Sequence, residues 1–173
     1  MQMVYCSFCG SKLEKRKAGD DDVVPFCKNC NQFFFNKFSV CVIALVVNEF
    51  DEVVLLKQLY LSDKYYTFPA GYMQSGETAE DAIKREIKEE IGLSVTSLKY
   101  VQSVWFSLKN ILMLGYIAKV KKQKLILSSE VDEALWVKAD KVTEKIYPEH
   151  PENIAHILLK EFYLNKLSNQ LQA

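Results

Sequence analysis

Glutamates stand at positions 86, 89 and 90, inside a segment GYMQSGETAEDAIKREIKEEIGL that spans residues 71 to 93. On a helix, residues three and four apart are surface neighbours, so Glu86, Glu89 and Glu90 bring three carboxylates together on adjoining parts of one helix. Anions gathered this way repel one another unless a cation sits among them. No His or Cys lies in the segment. An all-oxygen donor set suits Mg2+ or Mn2+, which keep several waters and also grip phosphates. Such a centre neutralises phosphate oxygens and helps turn a bound water into a nucleophile, so the chemistry indicated is hydrolytic phosphoryl transfer. The loop from Gly71 to Gly76 has a polar tip and lets backbone approach the start of the helix, where a diphosphate is welcome. Arg85 can pair with Glu77 or Glu89 and fix the orientation of the carboxylate it holds.

A second cluster lies near the N-terminus. Cys6 and Cys9 form one CxxC pair, and Cys27 and Cys30 form another after a 17-residue gap, the spacing of a four-cysteine zinc ribbon. Gly10 and Asn31, directly after each pair, tolerate the left-handed backbone that a metal knuckle often needs. Four thiolates close a tetrahedral site, which makes this zinc structural. The competing readings are a redox dithiol and a pair of disulfides. A catalytic CxxC normally occurs once, at a helix start beside a strand. Cys41 stands apart and reads as a small core residue. A ribbon can also be a nucleic-acid module, but Asp20, Asp21 and Asp22 offset its lysines, so a scaffold or dimerisation role is expected.

These clusters need elements to hold them. From Thr78 the spacing of Ala79, Ala82, Ile83, Ile87 and Ile91 predicts a helix that stops at Gly92. SVCVIALVVNEF reads as a buried strand, turned at NEFD into a second strand EVVLLKQL to make a hairpin. YYTFPAGYMQSGE suggests a short strand leading into a loop. Residues 98 to 107, 111 to 120 and 134 to 138 read as further strands, and PENIAHILLKEFYLNKL as a C-terminal helix opening at Pro151. Strands and helices do not alternate regularly, so an α/β (α+β) fold with a mixed sheet between helices is expected. Lys119, Lys121, Lys122 and Lys124 read as a solvated hairpin tip. His150 and His156 read as helix-cap and helix residues.

The chain divides near residue 37, into residues 1–36 and 37–173 of its 173 residues. Its 22 basic and 22 acidic side chains balance, which gives no electrostatic footprint for a nucleic-acid partner. A composition 49% hydrophobic and 25% charged supports a packed core. The start lacks a secretory signal, and no apolar stretch reaches the ~18 residues of a membrane span, so a soluble, cytoplasmic protein with no membrane partner is expected.

Residues 71 to 93 resemble the Nudix box at each of its defining positions: Gly71, Glu77, Arg85-Glu86, Ile87, Glu89-Glu90, Gly92 and Leu93. KREIKEE alone would pass for a solvated helix face, but the glycines and Glu77 at the box's spacings overturn that reading. Residues 37–173 resemble the Nudix hydrolases over their length. The resemblance implies an α/β/α sandwich that hydrolyses a nucleoside diphosphate linked to another moiety. It also implies Glu86 and Glu90 as ligands of Mg2+ or Mn2+, Glu89 as ligand or base, Arg85 in support, and a further acid from outside the box.

A zinc ribbon ahead of such a domain is similar to the NADH pyrophosphatase subfamily, which splits NADH or NAD into AMP and nicotinamide mononucleotide. That subfamily places an acid shortly before an aromatic strand, which singles out Glu130, with Trp136 after it and Glu133 as the fallback. Its SQPWPFPxS signature corresponds here to SVWFSLKNILM: Ser103 matches, Phe106 supplies an aromatic and Leu112-Met113 follow, while the Gln and the prolines are absent. Gly71, Ser103, Trp105 and Phe106 are the expected substrate contacts. Trp105 and Phe106 either stack on a purine or nicotinamide ring or belong in part to the core, since one of two adjacent strand side chains normally faces inward.

Three alternatives stay open: ADP-ribose or another nucleotide sugar as substrate, removal of an NAD cap from RNA, and a nucleic-acid-binding regulator that senses a nucleotide. The family suggests a homodimer.

Overall fold

The computed structural model describes residues 3–20 and 23–171, with side chains as far as residue 168. Asp21 and Asp22, counted above against a basic ribbon, lie outside the described residues. The chain divides into two compact units, with the boundary along the sequence between Phe38 and Ser39.

The first unit is a three-stranded antiparallel sheet of β1 (Glu14–Lys17), β2 (Val23–Cys27) and β3 (Gln32–Phe33), in that order. None of these strands was legible in the sequence. β1, EKRK, is exposed along its whole length, and β3 has two residues, so neither shows an inward-facing period. The apolar interior is small: a cluster of Cys6, Cys27 and Phe34, with Met3 and Leu13 packed against them, and the buried ring of Phe26.

The second unit is built on β4 (Ser39–Val47), β5 (Glu52–Lys57), β6 (Ala70–Tyr72), β7 (Val95–Phe106), β8 (Ile111–Val120) and β9 (Glu133–Lys138). The strand order is β7-β8-β4-β5-β9, with β6 also paired to β4. β4 and β8 run parallel and the other pairs antiparallel, so the sheet is mixed. β4 lies at the centre and is covered on both faces, which is why its sequence reads as a continuous apolar run. Ile43, Leu45 and Val47 face one core. Val42, Ala44 and Val46 face the other. Helix α1 (Ala79–Ile91) covers the second core with Ile83, Ile87 and Ile91, and helix α2 (Ile154–Leu171) covers the first with Ile154, Leu158 and Leu159. The layers are therefore helix, sheet, helix, as expected.

Helix α1 begins and ends where its sequence marks it. The Thr78 side chain accepts the Asp81 N–H, and Gly92 caps the C-terminus at φ 74° with its N–H on Lys88 O. Helix α2 begins at Ile154, three residues after Pro151. Residues 150–153 form a turn instead, closed by Asn153 N on His150 O at 2.8 Å, and the Asn153 side chain accepts the Ala155 N–H.

The lysines after β8 are not a hairpin tip, because β8 and β9 are not neighbours in the sheet. Residues 121–132 instead cross the end of α1, bonding Ile126 N to Ile91 O and Ser128 N to Glu90 O, and Lys122 pairs with Glu52 at 2.6 Å. β7 is an edge strand, with register shifts between Val95 and Ser97 and between Tyr100 and Gln102. Among the described residues, no helix is long and apolar enough to cross a membrane.

Candidate active site and cysteine centre

The pairing of β6 with β4 sets Gly71 opposite Val42 and Tyr72 opposite Cys41, and α1 returns across this corner. The Glu86 carboxylate lies against Gly71. A Cβ on residue 71 would fall on the Glu86 carboxylate carbon and oxygens, so the glycine leaves the notch that this carboxylate fills. Burial pushes the Glu86 carboxyl above its ordinary value, while the neighbouring Arg85 guanidinium opposes the shift.

Glu90, one turn further on, is 4% exposed. Its Oε1 accepts from Gln58 Nε2 at 3.1 Å and its Oε2 from Ala70 N at 3.2 Å, so both oxygens are fixed. Burial raises its pKa to about 8, with Glu86 and Glu130 adding like-charge repulsion against the Ala70 and Gln58 donors. Glu89 stands at the rim, its side chain 57% exposed. The three carboxylates thus run from interior to solvent along one face of α1.

Arg85 ties the group together. Its guanidinium donates to Glu77 at 2.8 and 3.1 Å, to Glu86 at 2.7 Å, to Glu89 at 3.0 Å and to the Tyr72 carbonyl at 3.2 Å. Glu77 in turn accepts from Gln74 N, which fixes the loop between the glycines. Arg85 and the Gln74 bond hold the Glu77 carboxyl below its ordinary range. Four of the box residues therefore form one hydrogen-bonded unit.

Glu130 lies on the segment that crosses α1, and its charge adds to burial in raising both Glu90 and the Tyr60 hydroxyl. Glu133 opens β9 opposite Lys57 and bonds the Tyr66 hydroxyl, whereas Glu130 is among the charges that raise Glu90. Sheet register carries one row of residues across from Gly71 to Val42, Leu114 and Ser103. Val104 packs into the α2-side core, so alternation puts Ser103 and Trp105 on the α1 side with the carboxylates and Phe106 on the opposite face.

Gln58 and the Ala70 N–H escaped the sequence reading. A Gln closing the run EVVLLKQ was the available signal, since a polar side chain there is either solvated or buried on a partner, and Gln58 is 6% exposed.

In the first unit, Sγ atoms of Cys6, Cys9, Cys27 and Cys30 all lie within 4.8 Å of one another. Among the described residues this is the one group of three or more Cys, His, Asp or Glu ligands drawn so close; Glu77, Glu86 and Glu89 are instead bridged by the Arg85 guanidinium. Phe8 N and Cys30 N donate to Cys6 Sγ and Cys27 Sγ, both at 3.4 Å, and Gly10 and Asn31 take φ of 73° and 51°. Each CxxC is therefore a knuckle with backbone N–H groups aimed at sulfur. Hydrogen bonding to Ser11 lowers the Cys9 thiol to about 6, and hydrogen bonding to Cys9 raises Cys30 to about 12. Sulfurs this close share protons unevenly, and a tetrahedral Zn2+ would replace those protons. Cys41 is buried in β4, its pKa pushed up to about 11 by burial and by Glu86.

The NUDIX domain model matches residues 37–157. The chain belongs to the Nudix family. Its relatives include a protein named NAD-capped RNA hydrolase NudC from Photobacterium profundum, 28% identical over 136 residues, which are 78% of this chain and 50% of the relative. The NudC of Pseudomonas aeruginosa is 29% identical over 137 residues, 79% of this chain and 48% of the relative. The chain thus spans about half the length of the curated relatives it matches. Among solved structures, a NUDIX hydrolase from Nitrosomonas europaea superposes with a TM-score of 0.67 at 21% identity, covering 91% of this chain and 89% of that one. The NUDIX domain of Shewanella oneidensis NrtR, solved with ADP ribose, superposes with a TM-score of 0.63 at 14% identity over 76% of this chain and 90% of that one. These likenesses concern the fold.

Proposed function

We propose that the protein is a pyrophosphohydrolase dependent on Mg2+ or Mn2+. Its substrate would be a nucleoside diphosphate linked to another moiety, foremost NADH or NAD, giving AMP and nicotinamide mononucleotide. The observation that carries the reading is the graded set Glu90, Glu86, Glu89 on α1, with Glu86 in the Gly71 notch, Glu86 and Glu89 both bonded to Arg85, and Glu90 held by Ala70 N. All the donors are carboxylate oxygens, which fits hard divalent ions, and Glu130 completes the set. When bound, the metal neutralises diphosphate oxygens and lowers the pKa of a coordinated water.

The chain's own groups supply the rest. Gln58 and Ala70 N hold both oxygens of Glu90, so that ligand needs no reorganisation on binding. Gly71 keeps Glu86 seated beside it. Glu89, exposed and oriented by Arg85, is placed to take the proton from the attacking water as its oxygen bonds to phosphorus and the bridging P–O bond breaks. Arg85 acts by positioning these carboxylates. Ser103 and Trp105, on the same face, bind the part of the substrate that does not react. Cys6, Cys9, Cys27 and Cys30 hold a structural Zn2+, in a ribbon domain followed by the hydrolase domain. A homodimer, testable by light scattering, is retained from the family resemblance.

The same chemistry on an NAD cap of RNA is the second reading, favoured by the names of the curated relatives. The test is product chromatography with Mg2+ or Mn2+ on NADH, NAD, ADP-ribose and NAD-capped RNA, beside a Glu86→Gln, Glu90→Gln control. Release of AMP from NADH, absent in the control, is expected. Preference for another diphosphate would overturn the substrate, and no metal-dependent cleavage of any of them would overturn the activity.

A further inference from the structure

A cavity of about 570 Å3 lies between α2 and the sheet at the end of β4 remote from Glu86. Gly71 sits opposite Val42, whereas the cavity is lined at Val47, five residues along the strand and so about 16 Å away. Val47 faces the α2-side core, whereas the residues that α1 covers face the other, so the cavity occupies the opposite face as well as the opposite end.

Its origin is visible in β8. Ile154 and Leu158 rest on Gly115, where a Cβ would come within 2.7 Å of Ile154 Cδ1 and 3.0 Å of Leu158 Cδ2, so α2 closes tightly on the sheet there. Beyond Leu158, Phe162, Asn165 and Lys166 instead look onto Ile117 and Lys119 of β8 and Ser97 and Lys99 of β7, and the space stays open. The register pairs Ile117 with Lys99 and Lys119 with Ser97. The floor is apolar at Val47, Ile117 and Phe162, and the rim carries four lysines against Glu49 and Asp51.

The lysines are not equivalent. Lys99 is taken up by Glu161 at 2.8 Å and Asn165 at 3.0 Å, and Lys166 by Asp51 at 2.6 Å. Lys119 and Lys121 have no carboxylate within ion-pair distance among the described residues. Two cations without ion pairs beside an apolar floor and an aromatic ring, in a space of nucleotide size, match an aromatic ring that carries one phosphate.

We propose that this cleft is a second ligand site, for a nucleoside monophosphate, with the phosphate on Lys119 and Lys121 and the base over Ile117 and Phe162. It stands apart from the diphosphate reaction, and its test does not depend on that reaction.

The full zinc-loaded chain is titrated with AMP by calorimetry at low salt without added Mg2+, with adenosine and inorganic phosphate as comparison probes. Binding is expected in the wild type and in Glu86→Gln, Glu90→Gln alike. It should weaken at least tenfold in Lys119→Gln, Lys121→Gln and in Ser97→Trp, which fills the cleft without changing its charge, and adenosine and phosphate should each bind at least tenfold more weakly than AMP. Melting curves of the two cleft variants report that each is folded. The proposal is overturned if AMP does not bind, if either folded cleft variant binds it as wild type does, or if only the Glu86, Glu90 variant loses it. It is overturned too if inorganic phosphate binds as tightly as AMP.

Discussion

A carboxylate proposed as a metal ligand needs a prepared place, and the Glu86 carboxylate occupies the space that a side chain on Gly71 would fill. Gly71 lies outside the left-handed region, so alanine meets no backbone penalty there and acts only by displacing Glu86. Gly71→Ala should leave the melting temperature near that of wild type while lowering kcat by about 100-fold, as a displacement of about 1 Å can; steady-state kinetics beside a thermal melt separates the two. At this scale the glutamates, Arg85 and Gly71 were legible because their spacing along one helix and its approach loop is local. Gln58 and the Ala70 N–H were not, because they reach Glu90 from the end of β5 and from β6, whose neighbours only the folded register decides. The facing of Trp105 and Phe106 also needed that register, since alternation says that the two differ but not which is which.

Elements are held by their ends. Gly92 closes α1 in the left-handed region, and a Cβ there would also come within 2.9 Å of Ile126 Cβ on the segment that crosses the helix. Gly92→Ala should therefore cost roughly 1–2 kcal/mol from the backbone alone, read as a lower urea midpoint at unchanged slope. Glu52 opens β5 and is held by Lys122, Asn48 and Lys138. Those partners, Lys122 first, lower its carboxyl pKa. A depressed folded pKa gives stability that is present above the unfolded value and lost as the pH falls through the folded one. Glu52→Gln should thus melt below wild type at pH 7 and converge with it in acid, below the ordinary carboxylate range, once the folded carboxyl is protonated. The hairpin of β4 and β5 and helix α1 were readable from period and caps. The path of residues 121–132 was not, because two strands separated by a short polar segment look alike in sequence whether or not they pair.

At the scale of the whole chain, the two units rest on unequal foundations. Residues from Ser39 onward have a core on each face of a six-stranded sheet, whereas the first unit has four buried apolar side chains among the described residues, two of them cysteines. An interior that small does not hold a fold by itself, and the proposed zinc on the four cysteines would supply the difference. Removing zinc with a strong chelator, or Cys27→Ser, should unfold the N-terminal unit first and leave the second as a separate cooperative transition. Calorimetry would show this as loss of one component, and a single merged transition would count against it. The CxxC spacing disclosed the centre in advance; the strands that present it were hidden by their brevity and exposure.

One feature of that large sheet has a bearing on how the protein survives at high concentration. β7 runs twelve residues along an edge of the sheet, and a straight edge strand of that length is in general a template for pairing with another strand, including the same strand of a second molecule. The two register breaks, after Val95 and after Tyr100, interrupt the row of outward donors and acceptors and add local twist, so no long flat template remains. Deleting Thr96 or Val101 to restore regular pairing should turn this edge into a seed for fibrils.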